Sequence, residues 1–292
     1  MAQKRSTHRQ KQTIPTPIFL VLAAIAALLY IWQNGYFQNT PVAGTLQVHV
    51  IDVGQGDSIL ITTDAGAMLI DTGESEHAQT VINYLHDVGV TELAYAVATH
   101  PHSDHMGGMS KVIEAFPIDT FIAPDAVNTS RAFEKMLDAL EARDLTITVP
   151  TLGETFVLGE ATFTAIVPQN AAPDDLNNQS VVLRLDYGQT SFLFTGDAES
   201  SAEKEMLASE ISLDCDVLKV GHHGSRTSSS AAFLEAVSPD IAIISCGAGN
   251  SYNHPHEEIV TRLEKTGADL RRTDLEGTIV LVSDGKTIRD NE

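Results

Sequence analysis

His100-Pro101-His102-Ser103-Asp104-His105 places four metal-competent side chains in six residues, directly after the apolar run 93–98. That run reads as a buried strand. The histidines therefore sit on the loop leaving a strand's carboxyl end, where open α/β sheets build their sites. Pro101 stops the strand, and Gly107-Gly108 are expected to turn the backbone tightly into the next segment. His100 and His102 can aim at one ion, while Asp104 and His105 reach a second beside it. Mixed imidazole and carboxylate ligands suit zinc, manganese or iron rather than calcium or magnesium alone. A histidine-rich surface loop is the plain alternative, and the further ligands elsewhere in the chain weigh against it.

Phe194-Thr195-Gly196-Asp197 closes another apolar strand, and Gly196 lets the backbone approach a site closely. A carboxylate there can bridge two metals, one oxygen to each. Its competing role is a helix N-cap for the residues from Ala198 onward, and beside the first histidine loop bridging is the better account. Lys219-Val220-Gly221-His222-His223-Gly224-Ser225 again sets histidines just past a strand's end. One completes the second metal and the other is left to contact substrate or leaving group. We lean to His223 as ligand and His222 as the free ring, although spacing does not choose between them. Pro255 makes His256 an early helix residue with a structural role, whereas His254, on a loop, can meet a phosphate or carbonyl oxygen. No histidine lies between His105 and His222. The first metal is therefore left with His100, His102 and Asp197, plus water or a neutral group such as Asn178. His49, His77 and His86 fall outside these loops and are read as core or surface residues. Two ions about 3.5–4 Å apart can generate a bridging hydroxide and clamp attacking and leaving oxygens. Such a set suits hydrolysis, above all displacement at phosphorus.

The chain has 292 residues, 43% of them hydrophobic, enough to bury a sizeable core. Its charge is uneven. Residues 1–43 hold Lys4, Arg5, Arg9 and Lys11 and no acid; without those four, the 18 basic side chains fall to 14 against 39 acidic, a net −25. Wide contact with duplex DNA would be repelled, so a nucleic acid would have to be held locally. Residues 18–32 are uncharged and strongly apolar, with Tyr30, Trp32 and Tyr36 as interfacial aromatics. We expect a basic cytoplasmic segment over 1–13, a single-pass membrane signal anchor over 14–37, a linker over 38–45, and an extracytoplasmic domain over 46–292. Secretion after signal-peptide cleavage competes, but Pro41-Val42-Ala43 offers a poor cleavage site. Cys215 and Cys246 flank two apolar runs; if those strands are parallel neighbours, the thiols lie at opposite ends and stay free.

Strands are expected over 46–50, 58–61, 68–70 and 93–98, then 156–158, 161–167, 180–185, 191–195, 217–220 and 241–245, with a terminal hairpin near 279–289. Helices are expected over 79–88, 130–143 (capped by Ser130), 198–208, 229–237 and 256–266. A strand meander followed by alternating helices and strands, twice over, predicts two sheets packed face to face with helices outside.

The pattern His100-x-His102-x-Asp104-His105, then Asp197, then His222-His223 resembles the metallo-β-lactamase superfamily signature. More narrowly, the segments 49–58, 69–73, 177–183, 195–197, 218–225 and 254–256 resemble the extracytoplasmic hydrolase domain of the ComEC DNA-uptake family. The resemblance implies an α/β, four-layer αββα sandwich with two divalent ions, zinc or manganese. It implies His100 and His102 on one metal, Asp104 and His105 on the other, and Asp197 between them. Asp71 would orient a ligating histidine, and Asp52 and Asp57 would lie near the same face. Around Asn177-Asn178-Ser180 this chain lacks a histidine that lactamase and lactonase relatives often supply. It also shows one apolar span where DNA-uptake proteins carry a multi-helix channel, so transport is not expected of it.

The resulting expectation is a membrane-anchored phosphodiesterase or nuclease using a metal-bound hydroxide. Asp104 orients it or accepts its proton, and His222 or His254 stabilises the leaving oxygen. The substrate would be a phosphodiester, single-stranded DNA before duplex, with Lys219 and Arg226 the cations nearest in sequence. No nucleotide cofactor is expected, and DNA-uptake machinery is the candidate partner. Hydrolysis of an ester, lactone or lactam is the second reading; a catalytically weak accessory protein of DNA uptake is the third.

Overall fold

In β1 (Leu46–Val50), β2 (Ile59–Thr63) and β3 (Gly66–Ile70), successive side chains face opposite ways. Ile59, Ile61, Met68 and Ile70 enter one apolar cluster, while Leu60 and Leu69 enter another. Strands apolar on both faces must be covered on both, which selects a layered α/β architecture. The computed structural model describes residues 44–291 and shows that cover. The segments 1–13 and 14–37, and most of the linker 38–45, lie outside the described residues. Among the described residues no helix is long and apolar enough to cross a membrane.

β4 (Leu93–Val97), β5 (Ile118–Ile122) and β6 (Ile147–Thr148) extend the first sheet in parallel from β3. Helices Ala78–Asp87, Met109–Ala115 and Arg131–Ala142 cover its outer face. Ser130 caps the last of these as expected, its Oγ accepting from Phe133 N. The second sheet runs from β7 (Thr155–Leu158) through β8 (Ala161–Ile166), β9 (Val182–Tyr187), β10 (Thr190–Phe194), β11 (Val217–Lys219) and β12 (Ile241–Ile244) to β13 (Asp269–Arg272). Its last four strands are parallel, with helices Ser200–Ala208, Ala231–Val237 and Glu257–Glu264 outside. Apolar residues of both sheets, among them Val48, Met68, Phe163 and Phe192, fill the space between. The terminal hairpin β14 (Ile279–Ser283) and β15 (Ile288–Asp290) returns to the first sheet, where β14 pairs antiparallel with β1. The four layers αββα are those expected.

Two local expectations change. Gly107 and Gly108 have helical backbone (φ −58° and −86°) rather than turn geometry. Their role is close approach: a Cβ on Gly107 would lie 2.7 Å from Ser75 N, and one on Gly108 3.0 Å from Ala78 Cβ. The strand expected from residue 180 begins at Val182, because residues 177–179 form a 3₁₀ turn. Cys215 and Cys246 are free and buried, as expected from the parallel register that pairs Val217 with Ile241.

His49 is a core residue. It lies wholly buried under the helix Ala78–Asp87, with Nδ1 2.8 Å from Tyr84 Oη and Nε2 without a partner. Burial lowers its pKa from 6.5 to about 4. Between those values the unfolded chain binds the extra proton, so this residue's contribution to stability falls as pH drops from 6.5 toward 4. His49→Phe is expected to flatten that part of the pH dependence, read as urea midpoints at about pH 7 and about pH 5. A variant as acid-labile as the parent would remove His49 from this account.

Candidate metal centre

The carboxyl ends of β1, β3, β4, β8, β10, β11 and β12 meet at one edge of the sandwich, and every candidate loop leaves from one of them. Asp71 follows β3 in a left-handed conformation (φ 58°). His100 and His102 follow β4, and the short helix Ser103–Met106 carries Asp104 and His105. Asp197 follows β10. After β11, His222 and His223 are both left-handed (φ 48° and 53°), which turns consecutive rings toward the same centre. Such strain in two non-glycine residues persists only where surrounding structure fixes it. Gly56, in the β1–β2 loop, supplies the tightest approach: a Cβ there would sit 2.2 Å from Asp104 O.

The side chains divide into two groups that share Asp197. Its Oδ1 lies 3.1 Å from His105 Nε2 and 3.4 Å from His223 Nε2. Those two nitrogens are 3.2 Å apart, and Asp104 Oδ2 is 3.3 Å from His223 Nε2. Asp197 Oδ2 lies 3.8 Å from His100 Nε2 and 3.7 Å from His222 Nε2, while His100 Nε2 is 3.0 Å from His102 Nδ1. One oxygen thus addresses each group.

The donor set fits divalent cations. His105 Nδ1 is engaged by Asp71 Oδ2 at 2.8 Å and His223 Nδ1 by Ser245 O at 2.9 Å. Each ring then turns its other nitrogen toward the carboxylates. Asp197 Oδ1 is buried without a well-formed hydrogen bond. Lone pairs and carboxylates so arranged repel unless positive charge lies among them. Burial disfavours that charge on the rings, but Asp197 and the neighbouring carboxylates outweigh it: His105 is raised well above its usual range and His223 to about 10. The pocket calls for cationic charge, and a metal would displace the protons. Imidazole and carboxylate together suit zinc or manganese.

Asp57, His105, Asp197 and His223 offer ligand atoms all within 4.8 Å of one another. Asp57 nevertheless stands behind the rings. Its oxygens face the Nδ1 atoms of His223 (3.3 Å) and His105 (4.0 Å), and Lys219 Nζ is 2.5 Å away. Burial alone would raise its carboxyl; Lys219, then the His223 and His105 rings, hold it at about 2. Asp71 lies beside His105 and accepts from Thr99 N and Oγ1.

Three expectations are corrected. Asn178 is not turned to the metal groups: its Nδ2 donates to Asp175 and its Oδ1 accepts from Glu199 N and Ala202 N, so it holds the start of the following helix. Asp52 is exposed, and its Oδ1 accepts from Gly54 N within the turn. Lys219 is no substrate cation, being 1% exposed and paired with Asp57.

Sequence reading missed Glu199, which binds His222 Nδ1 at 3.0 Å and accepts from Asn177 and Thr227. It also missed Tyr252, whose ring stacks on His254 at 5.6 Å. Glu199 gave no signal beyond nearness to Asp197. Lys219 did give one, since a lysine inside an apolar strand requires a buried counter-charge. His254 is half-buried with Nδ1 unpartnered, and burial, then its histidine neighbours, lower it to about 4. A cleft of about 260 Å³ opens over Asp104, Asp197, His222 and His254.

Fold and site together define a member of the metallo-beta-lactamase superfamily, to which this chain belongs; the family model matches residues 51–248. Among curated proteins it is similar to ComE operon protein 3 of Bacillus subtilis (strain 168), 31% identical over 251 residues, covering 80% of this chain and 32% of that protein. It is also similar to competence protein ComA of Neisseria gonorrhoeae, 32% identical over 285 residues, covering 91% of this chain and 38% of that one. The chain spans about a third of the length of these relatives. Among solved structures, the metallo-beta-lactamase fold protein YhfI from Bacillus subtilis superposes with a TM-score of 0.57 at 11% identity, over 82% of this chain and 100% of that one. That likeness is one of fold.

Proposed function

We propose that the protein is a metal-dependent phosphodiesterase acting on nucleic acid, tethered outside the cytoplasm by residues 14–37. The observation that carries this reading is the pair of ligand groups sharing Asp197 beneath an open cleft. Such a pair suits in-line displacement at phosphorus, and the relatives named for competence point the same way. His100, His102 and Asp197 would hold one cation and Asp104, His105, His223 and Asp197 the other. Zinc or manganese there would supply Lewis acidity toward water and the phosphoryl oxygens.

The chain's own groups divide the remaining work. Asp104 is held ionised, chiefly by its contact with His223 once burial is overcome, and faces the cleft to orient an attacking water and accept its proton. His254 stays neutral near pH 7 and can donate a ring N–H to the leaving oxygen. His222 reads differently here than in sequence. Glu199 fixes its Nδ1, so Nε2 turns to Asp197 Oδ2 as a further donor to the first group.

The test is turnover of bis-p-nitrophenyl phosphate and single-stranded oligonucleotides by the full chain. Activity should vanish on chelation and return with zinc or manganese. Nitrocefin or acyl-lactone turnover without phosphodiesterase activity would instead support the ester, lactone or lactam reading. Two bound metals with no turnover of either class would favour the accessory role in DNA uptake.

A further inference from the structure

We propose that a single nucleic-acid strand runs from Tyr252 at the cleft mouth into an adjoining groove lined by Arg226, Arg262 and Lys265. This rests on the phosphodiesterase reading and names how its substrate is held. The loop between β12 and the helix Glu257–Glu264 forms a wall of both spaces. Tyr252 and His254 face the metal cleft; Pro255 and His256 line the groove, of about 900 Å³. Arg226 N donates to His256 Nδ1 at 3.1 Å, which ties the two walls of the groove together.

Charge separates this groove from the rest of the surface. It holds three cations beside two acids, Glu257 and Glu258, in a domain with 14 basic against 39 acidic side chains. Arg226 and Lys265 are exposed, and neither forms an ion pair among the described residues. Arg262 donates Nη1 to Ser229 O, and its charge opposes the rise that burial imposes on the Glu203 carboxyl, so it lines the groove as a partly engaged cation. A row of cations continuing from a phosphodiester site tracks a backbone.

Tyr252 supplies the second contact. The residue is 61% exposed, and its ring lies nearly parallel to His254, at 23° and 5.6 Å, so one aromatic face is supported while the side chain remains open to solvent. An exposed ring at the mouth of a nucleic-acid cleft is a platform for an unpaired base, and duplex bases, already stacked, cannot use it. The pairing of a stacking platform with a short cation track selects single strands over duplex.

The experiment is fluorescence anisotropy of a labelled single-stranded oligonucleotide of about 12 nucleotides with the full chain, chelator present so that the strand stays intact. Tyr252→Ala is expected to weaken binding roughly tenfold with an unchanged salt slope, and Tyr252→Phe to restore it. Arg226→Ala with Lys265→Ala should weaken binding and flatten the slope of log affinity against log salt by about 1.4, two phosphates at about 0.7 each. Lys135→Ala with Lys204→Ala removes the same charge from exposed helix positions elsewhere and should leave the slope unchanged. Equal slopes for the two double variants, or tighter binding of the matching duplex, would overturn the path. If the parent protein cleaves bis-p-nitrophenyl phosphate while this series shows no effect, the path alone falls. If the series holds and no phosphodiester is cleaved, the catalytic reading falls and the path stands.

Discussion

Asp197→Asn is expected to lower phosphodiesterase turnover about 10³-fold, roughly 4 kcal/mol of transition-state stabilisation, and to reduce the metal content of the purified protein. The reason is its position. Both carboxylate oxygens face ring nitrogens, Oδ1 those of His105 and His223 and Oδ2 those of His100 and His222. An amide removes the negative charge and replaces one acceptor by a donor, which opposes a cation on that side. The loop itself should stay in place, because Asp197 N donates to Ser180 Oγ and Thr195 Oγ1 to Lys219 O. Asp71→Asn is the graded comparison. Asp71 acts through His105, so its loss should cost about 10–100-fold in metal affinity. An Asp197→Asn protein with parental turnover and metal content would remove the dinuclear site from the mechanism, whatever the fold.

The gathering of the site was legible because its loops follow strand ends and strand ends follow apolar runs. Residues 93–98 and 191–195 are apolar enough to be strands, and the polar groups beyond them then fall on one edge of a sheet. What stayed hidden depends on direction and on distance along the chain. Asp52 and Asp57 occupy the same polar loop, and only backbone geometry turns Asp57 inward and Asp52 into its own turn. Asn178 stands in a suggestive segment, yet the backbone N–H groups of Glu199 and Ala202 claim its oxygen, a pairing more than 20 residues away in sequence. The return of β14 to β1 joins segments more than 200 residues apart, and no local pattern encodes such a pairing. β5 went unread because its segment mixes Asp119 and Thr120 with its apolar residues, a pattern that tertiary packing settled. His222 and His223, adjacent in sequence, were separable only by their surroundings, Glu199 at one ring and Ser245 O at the other.

Lys219→Met is expected to destabilise the metal-free protein by about 3–5 kcal/mol, the cost of leaving a buried charge without its partner. Lys219 and Asp57 are each 1% exposed and lie 2.5 Å apart at the carboxyl end of β11. Removing the ammonium leaves the Asp57 carboxylate with only the His223 and His105 rings for compensation. Combining it with Asp57→Asn removes the orphaned charge, and stability should return to within about 1 kcal/mol of the parent, since a buried ion pair replaced by neutral groups is often near neutral in energy. Metal affinity should not return. Asp57 lies behind the rings that face Asp197, and a carboxylate there raises their basicity, so the double variant is expected to bind metal about 10–100-fold more weakly while folding normally. Urea unfolding of the metal-free chain and competition with a chelating dye separate the two quantities. A Lys219→Met protein within about 1 kcal/mol of the parent would show that the pair carries little energy. Recovery of stability without recovery of metal binding would place the function of this buried pair at the metal centre rather than in the fold.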